Sequence, residues 1–133
     1  MTVKYFADTN VILYAIGQDP HKTTIARNIL KSRPVISSQV VNEAINVCLR
    51  KLSFEREKAY EFAESVMRYT EVLPVDATTI RKSAYVAIRY QLSNWDALIL
   101  AAALLGGCDT LYSEDFQAGQ VFEQSLTVVN PFC

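Results

Sequence analysis

Residues 93–112, Ser-Asn-Trp-Asp-Ala-Leu-Ile-Leu-Ala-Ala-Ala-Leu-Leu-Gly-Gly-Cys-Asp-Thr-Leu-Tyr, contain the longest apolar run of the chain, Ala97 to Leu105. Trp95 to Leu105 reads as a helix that is apolar nearly all round, and such a helix belongs at the centre of a fold rather than on its surface. Gly106–Gly107 close it. Thr110 to Tyr112 then reads as a short strand, so a buried helix runs directly into a strand.

The same alternation extends in both directions. Val3 to Ala7, Val35–Ile36, Val72 to Val75 and Leu126 to Val129 are further strand candidates, short and apolar as strands covered on both faces are. Between them lie helical patterns. Lys22 to Lys31 carries Ile25, Ile29 and Leu30, and Gln39 to Leu52 aligns Val41, Ala44, Ile45, Cys48 and Leu52. Glu55 to Tyr69 carries Ala59, Phe62, Ala63 and Val66, and a helix capped by Asp76 is expected to bury Ile80, Ala84, Ala87 and Ile88. Strand–helix–strand alternation predicts an α/β fold, a parallel sheet flanked by helices, with ligands bound beyond the carboxyl ends of the strands.

The 133 residues carry 50% hydrophobic and 20% charged side chains, the composition of one folded domain. Thirteen basic against 14 acidic residues leave a net charge of −1, so attraction to nucleic acid would need a local basic surface or bound metal. The basic residues Lys22, Arg27, Lys31 and Arg33, and Arg50, Lys51, Arg56 and Lys58, read as solvated faces that can flank an acidic cleft. Cys48, Cys108 and Cys133 show no metal-ligand spacing and read as reduced thiols, two buried and one at the C-terminus. The first residues lack a long apolar region, and no run approaches the roughly 20 residues needed to span a bilayer. A cytoplasmic protein without membrane association is expected.

Four carboxylates fall at informative places. Asp8 directly follows the first strand, where a turn or N-cap role is the plain alternative; Thr9 can cap equally well and leave Asp8 free. Glu43 shares a helix side with Asn46 and Arg50 but is flanked by Val40 and Val47, and a carboxylate beside valines calls for a partner. Asp96 completes a capping box with Ser93, yet opens from a buried helix toward the sheet. Asp115 follows the strand Thr110–Tyr112, with Ser113 and Glu114 as neighbouring alternatives. Carboxylates clustered without histidine or cysteine select a hard divalent ion, Mg²⁺ or Mn²⁺. Such an ion supports phosphodiester hydrolysis by an activated water.

Other chemistries lack their residues. One histidine, His21, placed as a surface residue, excludes a two-histidine acid–base ribonuclease, and no phosphate-binding glycine loop occurs. Asn10 stands where a haloacid-dehalogenase-type phosphatase has the second aspartate of its DxD motif. Trp95, Phe6, Phe116 and Tyr112 read as core and site-wall residues, not as a base-stacking platform. A non-catalytic binding module, its acids serving as caps and turns, is the rival of a different class.

The segments Asp8-Thr9-Asn10, Ser38-Gln39-Val40-Val41-Asn42-Glu43, Trp95-Asp96-Ala97-Leu98-Ile99 and Tyr112-Ser113-Glu114-Asp115-Phe116 resemble those of PIN-domain proteins, and in particular VapC-like toxins of toxin–antitoxin pairs. The closing Val128-Val129-Asn130-Pro131-Phe132 fits one VapC-like subgroup. The resemblance covers essentially the whole chain and implies one PIN domain over 1–133, with a Rossmann-like three-layer sandwich. It implies a Mg²⁺-dependent endoribonuclease acting on RNA to leave 5′-phosphate and 3′-hydroxyl ends, and a homodimer neutralised by a cognate antitoxin. A PIN domain that processes RNA without a toxin role is the alternative. Metal-site roles carry onto Asp8, Glu43, Asp96 and Asp115, with Thr9, Asn10, Ser113 and Glu114 as supporting groups. Many PIN domains have a longer polar stretch than Ser113-Glu114-Asp115, which leaves open whether Asp115 or Glu114 reaches the metal. Exposed apolar helix faces, part of Phe54 to Tyr69 included, are expected to receive an antitoxin helix.

Overall fold

Short strands and longer helices alternate through residues 3–133, the part of the chain described by the computed structural model. In order they are β1 (Tyr5–Ala7), α1 (Thr9–Tyr14), α2 (Pro20–Lys31), β2 (Val35–Ser37), α3 (Ser38–Arg50), α4 (Arg56–Tyr69), β3 (Glu71–Leu73), α5 (Ala77–Tyr90), α6 (Asn94–Leu105), β4 (Thr110–Tyr112), β5 (Val121–Phe122) and β6 (Leu126–Val129). The sheet runs β3-β2-β1-β4-β6-β5. All its pairings are parallel except the antiparallel β5–β6 ladder at one edge. This is the α/β fold with a parallel sheet flanked by helices that the alternation predicts.

The order of strands decides where a ligand can bind. From β1 the chain builds outward through β2 and β3, then returns to lay β4 on the other side of β1. The carboxyl ends of β1 and β4 therefore flank a topological switch point, where the helices that follow leave a crevice. Phe6 of β1 pairs with Leu111 of β4 and Ala7 with Tyr112, and the Asp8 N–H donates to the Tyr112 carbonyl at 3.0 Å. Asp8 and the segment after Tyr112 are thus brought side by side.

The core confirms α6 as the central helix. It buries Ala97 and every residue from Ile99 to Ala103, and all of these but Ala101 share one core cluster with Phe6, Ile36, Leu111 and Val128 of the sheet. Side-chain caps begin its neighbours: Asp19 with Pro20 for α2, Ser37 for α3, and a reciprocal Asp76–Thr79 box for α5. Cys48 and Cys108 are buried and Cys133 is exposed. Among the described residues no helix is long and apolar enough to cross a membrane.

Two expectations are corrected. The α5 stripe Ile80, Ala84, Ala87 and Ile88 does not face the core; Ile80 is 56% and Ile88 75% exposed, Ala84 is exposed, and Ala87 is only partly buried. The helix instead turns Thr79, Ser83 and Val86 inward. Small side chains let it lie close against the alanine-rich α6, and the larger isoleucines are left outside. The second correction is α1. Asp8, rather than Thr9, takes the cap position and accepts from the Thr9 N–H, and a six-residue helix that no periodicity predicted follows it.

Candidate metal centre

Asp8 is the best buried of the four acids, with 4% of its surface exposed. Its Oδ1 accepts from the Thr9 backbone N–H at 2.7 Å, and its Oδ2 accepts from the Ser113 hydroxyl at 2.7 Å. Burial pushes its pKa up to about 6 against the pull of these two hydrogen bonds, and the charges of Asp115 and Glu43 add to the rise. Ser113 is itself fully buried, and its Oγ also accepts from the Asp115 N–H at 3.0 Å. One hydroxyl therefore fixes both the first acid and the backbone of the last.

Glu43 projects from α3. Burial raises its pKa; a hydrogen bond from Gln39 works against that rise, and the Asp115 and Asp96 carboxylates reinforce it. Asp96 lies in the first turn of α6, where its N–H donates to the Ser93 hydroxyl at 3.2 Å. The reciprocal half of the expected capping box does not form, and the Ser93 side chain works against the rise in the pKa of the Asp96 carboxylate. Burial raises its pKa as well, followed by the charge of Asp115. Asp115 is exposed on the open side, held by Asn10, whose Nδ2 donates to Oδ2 at 3.1 Å.

The structure brings Asp8, Glu43, Asp96 and Asp115 within electrostatic reach of one another, and it draws Glu114 away. The Glu114 carboxylate accepts from the Tyr14 hydroxyl at 2.6 Å and pairs with the Lys22 ammonium at 2.8 Å. Burial would raise its pKa, but these partners overcome that and hold it below the usual carboxylate range. Lys22 is thereby occupied, and Arg27 donates to the Ala15 carbonyl. These two members of the basic stripe serve the fold.

Two features support a fit to a divalent ion. The groups that set the charge of Asp8, Glu43 and Asp96 are carboxylates, hydroxyls and amides, with no cation among them. The Thr9 hydroxyl is buried near Glu43, and by geometry it makes no hydrogen bond among the described residues. An all-oxygen, uncompensated acidic cluster is the donor set of Mg²⁺ or Mn²⁺. Among the described residues no three acidic, histidine or cysteine side chains stand close enough together to hold a metal ion as they are placed.

Sequence reasoning placed Gln39 in a motif without a role. Its Nε2 donates to Glu43 at 2.8 Å and to the Trp95 carbonyl at 3.2 Å, tying α3 to the start of α6. The spacing of four residues to Glu43 on one helix was the available signal. Phe6 and Phe116 are buried as expected, but Trp95 is not a core residue: on the first turn of α6 it is 62% exposed. Its indole lies at the wall of an open groove beside Gln39 and Glu43.

A PIN-domain family model matches residues 5–121. The chain belongs to the PIN-domain family. No curated protein matches the sequence. Among solved structures, this PIN domain resembles a chain of the DNA-bound VapBC from Salmonella typhimurium, at 20% identity and TM-score 0.72, over 99% of this chain and 100% of the other. It resembles a chain of FitAcB from Neisseria gonorrhoeae at 20% identity and TM-score 0.71, over 96% and 98%. A sarcin–ricin loop cleaving VapC toxin of Mycobacterium tuberculosis aligns at 18% identity and TM-score 0.67, over 84% and 90%. These likenesses are of fold, and they extend over nearly the full length of the chains compared.

Proposed function

We propose that this PIN domain is a Mg²⁺- or Mn²⁺-dependent endoribonuclease and the toxin of a toxin–antitoxin pair. The observation that carries the proposal is the approach of Asp8, Glu43, Asp96 and Asp115 near the carboxyl ends of β1 and β4, where burial and mutual repulsion raise three of them and no cation is among the described groups that act on them. Asp8, Glu43 and Asp96 would hold the ion, with Asp115 completing the set or serving a second ion. A bound divalent ion supplies Lewis acidity, which eases deprotonation of water and offsets phosphate charge. Ser113 keeps Asp8 turned into the site, Asn10 orients Asp115, and Gln39 holds Glu43. In the overall reaction water adds to phosphorus and the bond to O3′ breaks, leaving a 5′-phosphate and a protonated 3′-hydroxyl.

The toxin role rests on family membership and on fold likeness to chains of VapBC and FitAcB. The exposed Tyr60 and Tyr69 of α4 offer apolar anchors for an antitoxin helix. We assign the outward isoleucines of α5 to a homodimer contact, and a cytoplasmic site of action. The test is RNA cleavage with Mg²⁺, Mn²⁺ or EDTA, with sequencing of the ends produced. Asp8→Ala and Asp96→Asn should each lower cleavage at least about a hundredfold, and Glu114→Gln should change it far less than Asp115→Asn. Cleavage that persists in EDTA, or that survives Asp8→Ala, would sink the mechanism. Growth arrest on expression, relieved by Asp96→Asn, tests the toxin role.

A further inference from the structure

Glu43 and Gln39 also line an open groove of about 640 Å³ that the proposed chemistry leaves unused. Its other polar walls are Ser38, Asn42, Asn46 and Trp95, and its floor is apolar. We infer that this groove receives a nucleobase of the RNA, stacked on Trp95, next to the phosphate that a divalent ion at the carboxylates would hold. The inference rests on the reading of those carboxylates as a cleavage site and specifies what it takes beside the phosphate.

Three observations favour a base. No lysine or arginine lines the groove, so it suits a neutral group rather than another phosphate. An exposed indole beside an apolar floor is the surface on which an unstacked base rests. Asn42 and Asn46 are exposed side chains whose amides both donate and accept, as base edges do. Covering them and Glu43 with an apolar partner segment would strip their water and return no hydrogen bonds. The stacking platform is also held in register with the carboxylates. Gln39 bonds to Glu43 with the same nitrogen that reaches the Trp95 carbonyl, and Asp96 is the next residue.

Trp95 is the only tryptophan in the chain, so its fluorescence reports on this groove alone. The experiment titrates a dye-labelled, short single-stranded oligoribonucleotide into the full chain with Ca²⁺ in place of Mg²⁺, so that phosphate charge is offset, and gel analysis verifies that the strand stays intact. Anisotropy of the dye and quenching of Trp95 are followed together, alongside an abasic oligonucleotide of equal length. The two signals should saturate together with the RNA, and the abasic strand should quench little. Trp95→Ala should weaken binding roughly tenfold or more, and Trp95→Phe, which keeps an aromatic face, by no more than about threefold. Circular dichroism confirms that both variants fold. RNA that binds without moving Trp95 fluorescence, or equally well to Trp95→Ala, overturns the inference. So does quenching that grows with protein concentration in the absence of RNA, which means a second copy fills the groove. These failures leave metal-dependent cleavage by the wild type intact. Failure of the cleavage reading shows instead as no cleavage with any ion and no RNA bound.

Discussion

At the scale of single residues, Asp8 shows a site and a fold in conflict. Two hydrogen bonds favour its ionised form, burial opposes it, and burial prevails, with a pKa of about 6 in the fold against 3.8 for an unperturbed aspartate. Between those values the folded protein keeps the proton that the unfolded chain has released, so stability falls as pH rises. Glu43 and Asp96, also raised, act with the same sign. Metal-free protein should therefore lose on the order of 2–3 kcal/mol as pH rises from about 4 to above 6. Urea melts in EDTA at pH 5 and pH 7 measure it, and stability that climbs over that interval would contradict the burial of charge at Asp8. Asp8→Asn should remove much of the pH dependence and make the metal-free protein more stable at pH 7, while abolishing cleavage. Mg²⁺ should restore wild-type stability at pH 7 by binding the folded state. Asp8 and Asp115 were legible in the sequence because each ends a strand. The choice between Asp115 and Glu114 was not, since it depends on Tyr14 and Lys22, remote in sequence from both.

Among the elements, those with a one-sided or all-round apolar pattern were legible. Helix α6 and its ending at Gly106–Gly107 follow from composition alone, and the structure gives Gly107 a φ of +71° with nothing near the place of a Cβ. The cost of a side chain there is therefore conformational. Gly107→Ala should destabilise by about 1 kcal/mol, and Gly107→Asn by less, because asparagine tolerates the left-handed region. Thermal melts of both variants check this, and an alanine variant as stable as the wild type would exclude it. Helix α5 was legible as a helix but not in its orientation. Its sequence offers two faces, Ile80–Ala84–Ile88 and Thr79–Ser83–Val86, and hydrophobicity favours the first. Close approach to the alanines of α6 decides for the second, and that depends on a partner whose packing no local pattern displays. The six residues of α1 and the two of β5 were too few to show a period. Trp95 was misplaced because it opens an apolar helix, although Asn94 and Asp96 on either side of it are polar and its indole is 62% exposed.

For the molecule as a whole, a net charge of −1 provides no long-range attraction to RNA, so the proposed function would draw its binding from the site itself: divalent ions at the carboxylates and base contacts in the adjacent groove. The surface that remains unexplained by RNA is the outer face of α5. Ile80, Tyr85 and Ile88 are exposed by 56%, 48% and 75%, and their spacings of three to eight residues put them on one side of the helix. Clustered large apolar side chains on a surface mark a contact. In a two-fold dimer each substitution is met twice, once from each copy. Ile88→Asp should thus raise the dimer dissociation constant roughly a hundredfold, since it would bury an unpaired charge in each half of the contact. It should leave the fold of each copy nearly unchanged, because Ile88 touches little of its own core. Sedimentation velocity across a concentration series, paired with thermal melts, separates the two effects. A wild type that stays monomeric throughout, or an Ile88→Asp variant that dimerises as the wild type does, would remove α5 from the assembly.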